Sequence, residues 1–157
     1  MGINAIFLDV DGVLNNHTSK SRCGKFLGID KDKVKRLSKI VKETQSILIL
    51  TSSWKVGWDP KDKYIYDPLA KYLNSHLKRK GRLVLTDKTK ERNLSCRGMG
   101  IKAYLILHPE ITNWIVLDDE IFPDYQERKI IPHLIKTNPV YGLTNRDVKK
   151  AIKMLNI

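Results

Sequence analysis

Asp9 and Asp11 stand two residues apart in Phe7-Leu8-Asp9-Val10-Asp11-Gly12-Val13-Leu14-Asn15, at the end of a short apolar run. Alternate residues of a strand face the same way, so both carboxylates can reach one site if the strand persists that far. Two more polar clusters follow apolar segments directly: Thr51-Ser52-Ser53 and Asp118-Asp119. Carboxylates gathered at one place repel one another unless a cation neutralises them. Oxygen ligands of this kind suit Mg²⁺, which binds a few carboxylates and keeps water or substrate phosphate in its remaining positions. A carboxylate beside a phosphoryl group can attack it and form an aspartyl-phosphate. A second acid can protonate the leaving oxygen and then activate water. The hydroxyls of Thr51 and Ser52 can donate hydrogen bonds to phosphoryl oxygens, and a fixed cation such as Arg97 or Lys102 would offset their charge. Asp9 and Asp11 therefore read as the core of a Mg²⁺-dependent phosphate-handling site.

These clusters need elements that bring them together. Residues 3–10, 46–50, 82–86, 114–117 and 133–136 read as strands, most of them compact apolar runs. Residues 15–29 read as a loop or small flap. Asp30 or Asp32 can cap a helix carrying Val34, Leu37 and Val41 at helical spacing. Asp67-Pro68 places a cap before a proline at the first helical position, Leu69, Tyr72, Leu73 and Leu77 form the buried face, and Gly81 is expected to end the helix. A third helix from about Arg97 carries Ile101, Tyr104 and Leu105 and stops by Pro109. Thr144 and Asp147 make a capping box for a last helix lined by Val148, Ala151, Ile152 and Leu155. Strands alternating with helices imply an α/β fold with a mostly parallel sheet covered on both faces. Such sheets bind ligands outside the carboxyl ends of their strands, so the three polar clusters should converge there.

The chain has 157 residues, which fits a single domain over 1–157, and its 41% hydrophobic and 29% charged residues suit a folded globule. No apolar run approaches the ~20 residues needed to span a bilayer, so no membrane span is expected. The N-terminal run is short and already contains acids, unlike a secretory signal. Two cysteines, Cys23 and Cys96, point to free thiols in a reducing cytoplasm. The net charge of +12, from 29 Lys and Arg against 17 Asp and Glu, favours polyanionic partners. A Lys-rich surface without such a partner is the competing reading, since the cations are spread along the chain. His17, His76, His108 and His133 lack ligand spacing, which argues against zinc. Trp54 and Trp58, with Tyr64 and Tyr66, can stack bases or form a satellite core. Asp124 reads as a loop residue.

Asp9-Val10-Asp11-Gly12-Val13-Leu14, Thr51-Ser52, a basic residue on a later helix, and Leu117-Asp118-Asp119 resemble the four motifs of the haloacid dehalogenase (HAD) superfamily. The resemblance covers residues 3–137. More narrowly, Thr51-Ser52-Ser53-Trp54 and Gly142-Leu143-Thr144 resemble the small phosphatase-like domain of multifunctional RNA-repair proteins. The resemblance implies a Rossmann-like sheet of about five strands in the order 5-4-1-2-3. It also implies roles: Asp9 as nucleophile and metal ligand, and Asp11 as acid/base and backbone metal ligand. Thr51, with Ser52 as the alternative, would hold the phosphoryl group, and Asp118 and Asp119 would bind Mg²⁺. Arg97, at the start of its helix, is favoured over Lys102 as the site cation, and Gly12 joins these residues in the expected phosphate-binding set. The intervals 15–29 and 54–66 are too short for a folded cap, so an essentially capless, open cleft is expected. An open cleft suits a phosphorylated nucleic-acid end, and a nucleotide phosphatase in which residues 54–66 close over the base is a further reading. The alternative from another class is a non-catalytic nucleic-acid-binding protein that keeps the fold. Water and an alcohol can attack the same intermediate, so phosphatase and phosphotransferase chemistry both fit. The pattern fixes no oligomeric state.

Overall fold

Strand β1 (Ile3–Leu8) begins the chain in the computed structural model, which describes residues 2–156. A two-stranded antiparallel hairpin follows, β2 (Arg22–Cys23) and β3 (Phe26–Leu27), then helix α1 (Lys31–Thr44) and strand β4 (Ile47–Leu50). Helix α2 (Pro68–Gly81), strand β5 (Asp87–Lys88), helix α3 (Arg97–Leu107) and strand β6 (Ile111–Asp118) come next. Strand β7 (Leu134–Lys136) and helix α4 (Asn145–Leu155) complete the order.

Five strands form one parallel sheet in the order β5-β4-β1-β6-β7. Counting only the parallel strands along the chain, this is 3-2-1-4-5, the expected 5-4-1-2-3 read from the opposite edge. β1 is central because both its faces are apolar. Ile6 and Leu8 pack with Val34, Leu37, Leu73, Leu77, Val148 and Ala151, so α1, α2 and α4 cover one face. Ala5 and Phe7 pack with Ile101, Tyr104, Tyr125 and Ile130, so α3 and the segment after β6 cover the other. Phe7 meets Tyr104 and Trp114 edge-on at 5.9 Å, an arrangement aromatic quadrupoles favour.

The expected caps of α2 and α4 form. Asp67 accepts a hydrogen bond from Ala70 N–H at 2.9 Å, and Thr144 and Asp147 satisfy each other's backbone reciprocally. Asp30 precedes α1 without a side-chain cap, because its carboxylate instead takes the Ser19 hydroxyl at 2.5 Å and Lys33 at 3.1 Å.

Several boundaries move. β1 stops at Leu8 rather than residue 10, and Val13 and Leu14 N–H both return to the Val10 carbonyl in a tight turn. Asp11 therefore lies in a turn, where strand alternation does not set its direction. The third strand is not 82–86 but Asp87–Lys88. Arg82 adopts the left-handed region (φ 54°) to end α2, and Leu83 N–H is spent on the Leu77 carbonyl, so the chain meets β4 only further on. Gly81 is the last helical residue, and its role is contact: a Cβ there would lie 2.7 Å from Val34 on α1. β6 is longer than expected and includes Asp118, while His133 lies in a 3₁₀ turn before β7.

Between β1 and α1 the chain forms only the β2–β3 hairpin, and between β4 and α2 a single 3₁₀ turn at Ser53–Lys55. No folded cap stands over the sheet edge among the described residues. Among the described residues no helix is long and apolar enough to cross a membrane.

Candidate active site

The carboxyl ends of β1, β4 and β6 carry Asp9, Thr51 and Asp118, locked by the sheet's own hydrogen bonding. Asp9 N–H donates to Leu117 O at 3.0 Å, and Thr51 N–H to Leu8 O at 2.9 Å. Asp9, Asp118 and Asp119 bring one carboxylate oxygen each within 4.8 Å of one another. Asp118 is fully buried and Asp9 nearly so.

Arg97 is the cation of this cluster. Its guanidinium lies 3.1 Å from Asp9 Oδ1 and 2.9 Å from Asp118 Oδ2, and packs over the Phe122 ring at 4.1 Å. Arg97 is the first residue of α3, and Asp124 fixes that helix end by accepting from both Gly98 and Met99 N–H at 3.0 and 2.8 Å. Asp124 is thus the helix anchor, where the sequence reading has a loop residue; a carboxylate there also complements the helix dipole. Lys102 does not join the cluster, because its ammonium lies over the Trp114 ring at 5.2 Å.

Asp118 is further held by the Tyr125 hydroxyl at 2.9 Å and Glu120 N–H at 3.1 Å. Burial pushes the Tyr125 hydroxyl far up, aided by the negative charge of Asp118, so it stays a donor. Burial, then the charge of Asp118, lifts the Asp9 carboxyl well above its usual range, and Arg97 pulls it back only in part. Asp119, half-buried, is raised by the same two causes in the same order.

Asp11 is exposed but not free to swing. Its Oδ1 accepts from Asn15 Nδ2 at 3.0 Å and its Oδ2 from Trp54 Nε1 at 3.1 Å. Asn15 is itself fixed, because its Oδ1 accepts from Gly12 N–H and its Nδ2 also donates to Gly28 O, both at 2.9 Å. Gly12 has φ +79°, and a Cβ there would fall 2.2 Å from Asp119 Oδ2. Only glycine lets this turn pass so close to the carboxylate. Its carbonyl accepts from the Thr137 hydroxyl at 2.7 Å, which ties the turn to the end of β7.

Thr51 Oγ1 and Arg97 Nε are buried and have no hydrogen-bond partner in the protein. The Ser52 hydroxyl oxygen accepts from Trp54 N–H at 3.2 Å and caps the 3₁₀ turn, which leaves its proton for another acceptor. Trp54 and Trp58 are buried in the main core rather than offered for stacking, whereas Tyr64 and Tyr66 are exposed. Lys55, in the same 3₁₀ turn, is buried against Glu91 at 2.5 Å and Thr89 at 2.7 Å, which joins the turn after β4 to the segment after β5.

The sequence reading missed Asn15, Trp54, Tyr125 and Thr137 as orienting residues. Asn15 and Trp54 adjoin the motifs, so their neighbourhood was a signal. Tyr125 and Thr137 carry none, because only the fold brings them to Asp118 and Gly12.

Three carboxylates face a single guanidinium, so the cluster keeps net negative charge when ionised. Hard oxygen donors, uncompensated charge and an orphaned Thr51 hydroxyl together fit Mg²⁺ with a phosphoryl group beside it. Asp9, Asp118 and Asp119 are the side chains able to hold the ion.

Residues 5–148 match the model of the family described as "HAD domain in Swiss Army Knife RNA repair proteins". No curated protein matches the chain.

Proposed function

This chain belongs to the family of HAD domains in Swiss Army Knife RNA repair proteins, and on that premise we propose that it is a Mg²⁺-dependent phosphomonoesterase acting on phosphorylated nucleic-acid ends or nucleotides. The observation that carries this reading is the trio of buried Asp9 and Asp118 with half-buried Asp119, whose carboxylate oxygens lie within 4.8 Å of one another against one arginine. A protein that only bound nucleic acid would gain nothing from negative charge in a site facing phosphate.

Asp9, Asp118, Asp119 and the Asp11 carbonyl would hold the ion, which supplies positive charge to the phosphoryl oxygens and keeps Asp9 ionised. Asp9 attacks phosphorus, and the ester P–O bond breaks as the aspartyl-phosphate forms. Asp11 gives its proton to the departing oxygen. It then takes a proton from water as that water attacks phosphorus, the Asp9–phosphorus bond breaks and inorganic phosphate leaves. The hydrogen bonds from Asn15 and Trp54 keep Asp11 aimed through both steps. Thr51 donates its hydroxyl to a phosphoryl oxygen, and Arg97 offsets charge there while placing Asp9. Gly12 allows the close approach of the turn, and Ser52 supports Thr51 by shaping the chain behind it. The cleft without a cap, together with the +12 charge, supports a large polyanionic substrate. We place the activity in the cytoplasm, where the free thiols Cys23 and Cys96 would stay reduced.

The test is phosphate release by the purified protein with Mg²⁺ from a panel that includes 5′- and 3′-phosphorylated oligonucleotides and mononucleotides. Release that is lost with EDTA and in Asp9→Asn supports the proposal. No release from any member of the panel would refute it.

A further inference from the structure

Two lysines cross between the turn that follows Thr51 and the segment around β5, and the chemistry just described uses neither. Lys55, in the 3₁₀ turn, donates to Thr89 Oγ1 at 2.7 Å and meets Glu91 Oε1 at 2.5 Å. Lys88, in β5, runs the other way and donates to the carbonyls of Lys55, at 3.0 Å, and of Trp58. Thr89 N–H donates to Leu50 O at 3.1 Å, so the receiving segment is itself bonded to the residue before Thr51. Backbone bonds of the sheet thus hold the chain up to Thr51, and the two lysines hold the turn after it.

Glu91 carries the connection on to α3. A Cβ on Gly100 would lie 2.2 Å from Glu91 Oε2, so the carboxylate packs against α3 about one turn beyond Arg97. Lys55 and Glu91 therefore stand between the turn that begins at Thr51 and the helix start that bears Arg97. Those are the two donors assigned above to one phosphoryl group.

The pair is a poor device for stability alone. The Lys55 side chain is 4% exposed and that of Glu91 1%. Charges at this depth lose their water, and apolar residues of similar volume often serve a fold as well or better. Glu91 Oε2 has no hydrogen-bond partner, so the carboxylate is incompletely satisfied even when paired. What the charges add is direction, because a buried polar network specifies one arrangement where apolar surfaces tolerate several.

We propose that Lys55 and Glu91 are positioning residues that set the spacing between the Thr51 hydroxyl and the Arg97 guanidinium, and so how tightly a phosphoryl group is held. Asp9, Asp118 and Asp119 are placed by β1 and β6, elements outside these contacts, so the metal-binding carboxylates do not depend on the strut. The proposal rests on reading Thr51 and Arg97 as the groups that hold the phosphoryl oxygens.

The test compares wild type with Lys55→Met/Glu91→Leu, which keeps the buried volume and removes the charges. Three quantities are measured: the thermal melt, Mg²⁺ affinity by calorimetry, and affinity of the Mg²⁺-loaded protein for inorganic phosphate by phosphorus NMR. The melt and the Mg²⁺ affinity should stay near wild type, while phosphate binds ~10-fold more weakly, about the worth of one hydrogen bond to a charged group. A pair that served the fold alone would give the opposite split. Apolar residues that restore the melt would then restore phosphate binding too, and that result overturns the proposal. If the double variant does not fold, Thr89→Val decides, because it removes one acceptor of Lys55 and spares the ion pair. Phosphate should then bind ~3-fold more weakly, as for a weaker hydrogen bond, and wild-type affinity would overturn the proposal. Thr51→Val in the same titration separates the strut from the reading beneath it. Wild-type phosphate affinity in Thr51→Val, or no phosphate binding by the wild type, refutes the phosphoryl assignment and the strut with it. Weakened binding in Thr51→Val beside wild-type binding in the double variant refutes the strut alone.

Discussion

Replacing Arg97 by methionine probes the electrostatic centre of the site. The guanidinium is 8% exposed and sits 3.1 Å from Asp9 and 2.9 Å from Asp118. At an effective dielectric of ~20, each charge pair at ~4 Å is worth ~4 kcal/mol before desolvation is subtracted. Desolvation of the arginine removes much of that total, and removal of one partner from a buried pair costs ~3–5 kcal/mol in practice. At ~2–4 °C per kcal/mol for a chain of this size, Arg97→Met should lower Tm by ~10 °C in EDTA at neutral pH. Two further results follow from the same charges. Asp9 loses the cation that lowers its pKa, so it holds its proton more tightly and the deficit should shrink on acidification. Mg²⁺ restores positive charge beside the same carboxylates and should recover part of the loss. Thermal melts of wild type, Arg97→Met and Arg97→Lys, with Mg²⁺ and with EDTA, read all of this. An Arg97→Met melt within ~2 °C of wild type in EDTA, under 1 kcal/mol on the same scale, would refute the reasoning.

Trp54→Phe removes the Nε1 donor to Asp11 while keeping most of the buried ring, so kcat should fall ~10-fold, about the worth of one hydrogen bond to a charged group. KM and the melt should stay near wild type, and steady-state kinetics check it. Gly12→Ala must adopt φ +79° and would set a Cβ 2.2 Å from Asp119 Oδ2; calorimetry should show Mg²⁺ bound ~10-fold more weakly, as when a ligand's support is disturbed. Asp9 and Asp119 have raised pKa values when folded, chiefly through burial. The folded, metal-free chain therefore holds protons that the unfolded chain has released, and this contribution destabilises it as pH rises above the ordinary carboxylate range. The Tm difference between Mg²⁺ and EDTA should thus widen from about pH 5 to about pH 8, because other groups cancel in the difference.

The sheet was legible because its strands are apolar runs that end in polar clusters, and a parallel order followed from the alternation with helices. The site's skeleton was legible for the same reason: Asp9, Thr51 and Asp118 come at strand ends, and strand ends share an edge. Arg97 rather than Lys102 was favoured from its place at a helix start, and the structure shows the physical basis, since Asp124 anchors that end against the segment after β6. Asp11 was placed by strand alternation, which fails because Gly12 turns the chain as β1 ends. The third strand begins later than expected because residues 82–85 alternate like a strand yet the chain bonds to β4 only from Thr86 onward. Orienting partners such as Tyr125 and Thr137 depend on side-chain contacts between distant segments, and no local pattern encodes those.

The central claim is that Asp9 carries the phosphoryl group. A single-turnover reaction with a phosphorylated oligonucleotide and Mg²⁺, quenched in acid and digested for peptide mass spectrometry, tests it most directly. The account predicts phosphate on the peptide containing Asp9, formed and lost on the timescale of turnover, and absent in Asp9→Asn. Phosphate release that persists in Asp9→Asn, or a phosphorylated residue elsewhere, would contradict it.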